Sequence, residues 1–229
     1  MSGALSALGL SLLAYLAGLW IQRHTGNKPY MHPVVLAILL VAFVLALLDE
    51  SATDAYLEHN MLLLDLLMVA VVAFSVPLVD NMRLVLREFA RLLAVVALAA
   101  IFIAGSTIAL CYALGIDAAT MAAFSFRSVT NPIAIAIAEQ NALSVDLAML
   151  GVSITGVVGI LTAEHILAAL RITDSRHVGL VLGITSHAFG IARALEISSL
   201  AAAYATVGMI VSGLLYAFAV PWLLRFLPL

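Results

Sequence analysis

The chain has 229 residues, about 149 of them hydrophobic and 23 charged, with a mean hydropathy of +1.18. Soluble domains carry roughly a quarter charged residues, so this composition belongs in a bilayer, and at about 20 residues per span it fits at most roughly eight or nine crossings, excluding a soluble enzyme, an ectodomain and a single-pass anchor. Ten basic residues, Lys28 the single lysine among them, and a net charge of -3 give no basic stripe for nucleic acid, and a lone Cys111 gives neither an internal disulfide nor a thiolate metal site.

In chain order, apolar stretches at 4–21, 33–48, 61–78 and 92–114 are each expected to cross or nearly so. The first has no basic residue ahead of it and reads as a retained span rather than a signal segment. The connections alternate in sign: basic from Arg23 to Lys28, acidic from Asp49 to Glu58, and arginine-rich from Asp80 to Arg91. By the positive-inside rule the first and third are cytoplasmic and the N-terminus lies outside. Trp20, Tyr30, Tyr56 and Trp222 fall near span ends, as interfacial aromatics do. Asp65 reads as interfacial and Pro77 as a helix terminator.

The second half is interrupted twice. Residues 118–141 are cut by Arg127-Ser128-Val129-Thr130-Asn131-Pro132, which leaves a piece of about half a bilayer on each side. A full span at 142–170 follows, with Gly151, Gly156 and Gly159. Residues 178–196 are then cut at Gly183-Ile184-Thr185-Ser186-His187-Ala188-Phe189-Gly190, ahead of a last span near 200–222. Re-entry of the first segment keeps Arg171 and Arg176 on the cytoplasmic side. The same argument is weaker for the second, where Arg225 falls on the wrong side, and a pair of crossing broken helices stays open. Irregular backbone at membrane depth is tolerated only where protein or a water-filled cavity satisfies it.

A shift of 57 residues lays Gly151–Gly156 on Gly208–Gly213, Glu139 on Glu196, Ser128 on Thr185 and Thr130 on His187. Such a repeat makes two units of opposite orientation whose broken helices meet near the midplane, an arrangement of many secondary transporters. The expected fold is therefore all-α and polytopic: about six full spans plus two broken or re-entrant segments, with an inverted repeat. Residues 1–114 are expected as scaffold and 115–229 as core, in an elevator-like carrier.

Polar groups at depth mark the candidate site. Asn131-Pro132 is a helix-start signal, with Asn131 as cap and Pro132 in the first turn, and it aims free N–H groups into the membrane interior, where anions bind. Ser128 and Thr130 add hydroxyls, and Arg127 adds a fixed positive charge suited to a carboxylate. In the second break Thr185 and Ser186 are candidate caps, Gly190 allows close approach, and His187 carries either a proton or an anion contact, or packs as a hydrogen-bonded core residue. Arg193 stands three residues from Glu196 on one helical face, so it is either a substrate ligand or half of an ion pair. Gly179 and Gly183 form a small-xxx-small pair that suits helix packing. No metal is expected, since Glu164-His165 lacks a second helical histidine, and no nucleophile motif argues for an enzyme.

The strings Ser128-Val129-Thr130-Asn131-Pro132-Ile133-Ala134, Thr155-Gly156-Val157-Val158-Gly159, Leu170-Arg171-Ile172 and Gly183 through Ala194 resemble the LrgB/CidB family of bacterial membrane proteins. His32-Pro33 and the stretch from Val72-Ala73 to Pro77-Leu78 extend the likeness over nearly the whole chain. The chain departs from the family pattern at Asn131 (usually Thr), Val69 (usually Pro) and Ala163 (usually Gly); an amide in place of a hydroxyl at 131 bears on substrate preference. The resemblance implies two roles. One is a holin- or antiholin-like partner of small LrgA/CidA-type proteins, affecting murein hydrolase export and autolysis. The other is transport of small carboxylates of the glycolate, glycerate and pyruvate class across the bacterial inner membrane, with a homodimer as the default assembly and no cofactor. The paired breaks favour the second, with Arg127, Ser128, Thr130, Asn131, Pro132, Thr185, Ser186, His187, Gly190 and Arg193 as the expected substrate site.

Overall fold

A computed structural model describes residues 2–26 and 31–223, so Lys28, Tyr30 and Arg225 lie outside the described residues, as does the side chain of Asp65. All regular structure among the described residues is helical. The chain divides into two compact units, Met1–Ala73 and Phe74–Leu229.

The first unit holds α1 (Ser2–His24), α2 (Pro33–Ala46), α3 (Glu50–His59) and α4 (Met61–Ala73). His32 caps α2 by accepting from the Val34 N–H, and Pro33 fills the first helical position, where its missing donor costs nothing. At 14 residues α2 is about 21 Å long and falls short of a full crossing. Gly18 lets α1 approach the Pro33 carbonyl, with which any larger residue would collide. The acidic stretch expected as a loop is instead α3, started by Asp49, whose carboxylate accepts from the Ala52 N–H at 3.2 Å. Tyr56, expected as an interfacial anchor, hydrogen-bonds to Ser11 at 2.8 Å across this unit. The stretch expected as one span over 61–78 is divided at Phe74 into α4 and α5 (Ser75–Asp80).

The second unit continues with α6 (Met82–Ala113), α7 (Ala118–Ser125), α8 (Asn131–Gln140), α9 (Val145–Ala169), α10 (Ser175–Ile197) and α11 (Ser199–Leu223). Among the described residues α6, α9, α10 and α11 are long and apolar enough to cross a membrane. Arg83, Arg87 and Arg91, expected in a loop, occupy the first turns of α6, because nothing between Met82 and Leu92 breaks a helix and their long stems keep the charges near the interface. Cys111 is buried, as a packing role requires. Large apolar side chains such as Leu98, Ile101, Phe102 and Phe218 are exposed, the surface lipid demands.

Each broken segment starts on an aspartate. Asp117 accepts from the Thr120 N–H at 2.9 Å and Asp174 from the Arg176 N–H at 2.9 Å, caps that close α7 and α10. The bonds from Thr120 hold the Asp117 carboxyl below its ordinary range, and those from Arg176 bring Asp174 down to about 2. The Arg176 guanidinium also reaches Glu88 of α6 at 2.9 Å, and the other Glu88 oxygen accepts from the Tyr204 hydroxyl of α11 at 2.6 Å. At the far end of α10, Arg193 donates to both Glu164 oxygens of α9, at 2.5 and 3.0 Å, and pairs with Glu196.

The core sits where α10 and α11 cross closely. A Cβ at Gly179 would strike the Ala201 carbonyl and one at Gly183 the Ala205 carbonyl, both main-chain atoms that cannot swing away. The small-xxx-small pair is therefore the seat of α11. G179A and G183A are each expected to destabilise the folded protein by about 1–3 kcal/mol, read as a lower melting midpoint in detergent. An unchanged midpoint would mean that the two helices separate at no cost.

Candidate functional site

The first break comprises residues 126–130, between α7 of 8 residues and α8 of 10, about 12 and 15 Å long. Phe126 and Val129 are fully buried and anchor it in a cluster with Ala104 of α6, Val152 of α9 and Tyr216 of α11. The apolar residues of the break thus point into the bundle, and its polar ones find or lack partners individually.

Arg127 is held by hydroxyls. Its Nε donates to Thr107 Oγ1 of α6 and its Nη1 to Thr155 Oγ1 of α9, both at 3.0 Å. Among the described residues no carboxylate pairs with it. Two of its five N–H donors are so occupied and three remain. A guanidinium in an apolar bundle without a counter-charge is costly. Neither threonine was among the expected site residues, although Thr155 opens one of the strings that carry the family resemblance. Their shared signal is a hydroxyl placed inside a long apolar helix.

Ser128 is completely buried, and its Oγ donates to the Ile184 carbonyl at 2.7 Å. This bond ties the first break to the turn just ahead of the second. Thr130 occupies the cap position of α8 with extended backbone, yet its side chain makes no capping bond. Asn131, expected as the cap, is already the first helical residue, and its Oδ1 is buried without a partner among the described residues. The first turn of α8 therefore has no side-chain cap, Pro132 contributes no N–H, and the positive end of the helix dipole is unneutralised.

The second break is narrower than the glycine pattern suggests. Only His187 leaves helical geometry, at φ 52 and ψ -125, close to the first central position of a type II′ turn, which glycine normally fills. Thr185 does not cap; its Oγ1 donates to the Val181 carbonyl at 2.8 Å and lies 3.3 Å from Ser186 Oγ. A back-bonded threonine inside a helix satisfies itself, so no cap is needed. Gly190 faces the Leu182 carbonyl so closely that no Cβ fits, which is how the chain doubles past the kink. Gly159 of α9 accommodates Thr185 and Ser186, and Gly156 accommodates the Phe189 ring, which a Cβ there would meet at 3.0 Å.

The His187 ring is buried and its Nε2 has no partner among the described residues. The carbonyl that accepts from Ser128 belongs to Ile184, three residues ahead of this ring. The structure thus brings Arg127, Ser128, Asn131 and His187 into one region, with Thr130, Pro132, Thr185, Ser186 and Gly190 as its framework. Arg193 is not free to join them. Of the two roles open to it, the structure gives it the ion pair, through Glu164 as well as Glu196, and Glu164 was not foreseen as its partner. Glu139 is exposed at the end of α8.

Backbone strain at His187 sets a stability order. A non-glycine residue in this conformation costs on the order of 1–3 kcal/mol. H187G is expected to melt higher than H187A, the reverse of the order for a helix interior; equal midpoints, or alanine the higher, would show that the turn relaxes when the ring is removed.

Residues 11–226 match the LrgB-like family. Similar relatives include a Bacillus subtilis protein, YxaC, of uncharacterized function, 28% identical over 93% of this chain and 91% of its own length. An uncharacterized Haemophilus influenzae protein is 24% identical over 91% of each chain. The holin-like protein CidB of Staphylococcus aureus is 24% identical over 96% of each. No solved structure matches.

Proposed function

The chain belongs to the LrgB-like family, a membrane protein of the LrgB/CidB type, and on that footing we propose that it is a secondary carrier for small monocarboxylate anions across the bacterial inner membrane. One observation carries the reading: Arg127 is fixed by two threonine hydroxyls with no carboxylate partner among the described residues, beside the uncapped start of α8. A carboxylate placed there would complete the guanidinium, as bidentate pairing prefers. The Asn131 Oδ1 accepts only, and suits a substrate that also offers a hydroxyl, which favours glycolate or glycerate over pyruvate. Release of the substrate chemically unaltered is part of the reading.

Alternating access is the proposed mechanism, with residues 115–229 as a mobile core against the earlier helices and a homodimer as the working assembly. Support for two related units comes from contacts at the 57-residue offset. Asp117 and Asp174 cap equivalent helices. The equivalent glycines Gly156 and Gly213 each receive a side chain from the helix after the other unit's break, Phe189 and Ile133 respectively. Units interlocked in this way meet at their breaks, where an inverted-repeat carrier holds its substrate.

A second reading is favoured by the naming of the Staphylococcus relatives as holin-like: a membrane protein that modulates murein hydrolase export and autolysis, with a small LrgA/CidA-type partner. Proteoliposomes separate the two. A carrier takes up labelled glycolate or pyruvate saturably and retains a dye much larger than a carboxylate; a holin-like assembly releases the dye without saturation. R127Q is expected to lower kcat/KM by at least about tenfold, the loss typical of a charge-assisted hydrogen bond. R193A is expected to lower the melting midpoint while leaving KM within about threefold. Wild-type uptake by R127Q would overturn the carrier site.

A further inference from the structure

Four buried side-chain polar atoms lack a partner among the described residues: Asn60 Nδ2 in the first unit, and Asn131 Oδ1, His187 Nε2 and Ser212 Oγ in the second. In the sequence Ser212 stands out only as the counterpart of Thr155 at the 57-residue offset, a serine in the middle of an apolar span. Serine in a membrane helix ordinarily bonds back to the carbonyl one turn earlier. Thr206, on the same helix, does so at 2.9 Å to Ala202. Ser212 is fully buried and does not.

Its surroundings place it at the junction of the two breaks. On the turn before it, a Cβ at Gly208 would meet Ile184 Cγ1 at 3.3 Å, the residue whose carbonyl receives the Ser128 bond. Immediately after it, Gly213 is approached by Ile133 Cδ1, at 2.6 Å from a Cβ position, so this turn of α11 lies against the first turn of α8, where Asn131 is. One turn further on, Tyr216 shares a helical face with Ser212 and packs with Phe126 and Val129, which flank Arg127 and Ser128. The 57-residue offset adds a relation in kind. Ser212 corresponds to Thr155, whose hydroxyl holds the Arg127 guanidinium.

We propose that Ser212 is a substrate-binding residue, whose hydroxyl donates to the bound carboxylate from the α11 side, opposite the donors of Arg127. This rests on the carrier reading and adds a ligand to it. An unmade hydrogen bond on a buried polar atom is costly, and a small hydroxycarboxylate relieves two of them at once, its carboxylate accepting from Ser212 and its hydroxyl donating to Asn131 Oδ1. The empty protein bears the cost, and the loaded one does not.

The proposal makes S212A unlike an ordinary core truncation. With no native bond to lose, S212A is expected to melt at or above the wild-type midpoint when empty, to raise KM for glycolate by about tenfold, and to lose most of the thermal stabilisation that glycolate confers on wild type. A cysteine at the same place gives an independent readout, because Cys111 is the single native cysteine. In a C111A background, S212C is expected to react with a small anionic thiosulfonate reagent and to be protected by glycolate. An S212A KM equal to wild type, or an S212C that transports yet stays unmodified, overturns the role of Ser212 and leaves the carrier reading standing. Wild-type protein without saturable uptake overturns the carrier reading and this residue's role with it.

Discussion

A guanidinium inside an apolar helical bundle needs something to hold it, and in this chain hydroxyls hold it. Thr107 reaches it from α6 and Thr155 from α9, so Arg127 draws three elements of the second unit together without cancelling its charge. Carboxylates would have been stronger partners, and the chain uses them elsewhere: Arg176 and Arg193 are each flanked by two. Orientation without neutralisation is what a binding cation requires. A neutralised arginine would have to break a pair before it could take a ligand, at a cost comparable to what the ligand returns.

The breaks serve that cation in different ways. The first is a true interruption of five residues that delivers a helix N-terminus and buries Phe126 and Val129 as its anchors. The second is one residue wide. Glycines do the accommodating around it: Gly190 beneath the Leu182 carbonyl, and Gly156 and Gly159 beneath the returning chain. A side chain with a titratable ring therefore stands where backbone geometry alone would place glycine. Strain of this kind persists only where the surrounding packing over-determines it.

Much of this was legible in the sequence where polarity interrupts apolarity. The Arg127–Pro132 cluster marked the first break and its two half-helices with nearly correct ends, and the final span was placed within a residue or two. Charge misled where it stood for a loop. Arg83, Arg87 and Arg91 extend α6 by a full ten residues, and Asp49 starts a helix rather than a turn, because charged residues with good helix propensity continue a helix into the interface as readily as they end it. Glycine density overstated the second break, since glycines that admit a neighbour and glycines that bend a chain look alike in one dimension. The partners of Arg127 were invisible for a further reason: a threonine in a membrane helix has the same hydropathy whether it serves its own backbone or a cation 28 residues away.

The two arginine clusters give α10 a mechanical character. Its first turn is ion-paired to α6 through Glu88, and its last turns to α9 through Glu164, so its two ends are held to different neighbours. Between those anchorages the helix leaves helical geometry at His187 alone, so the kinked residue stands between two halves that are each tied to a different neighbour.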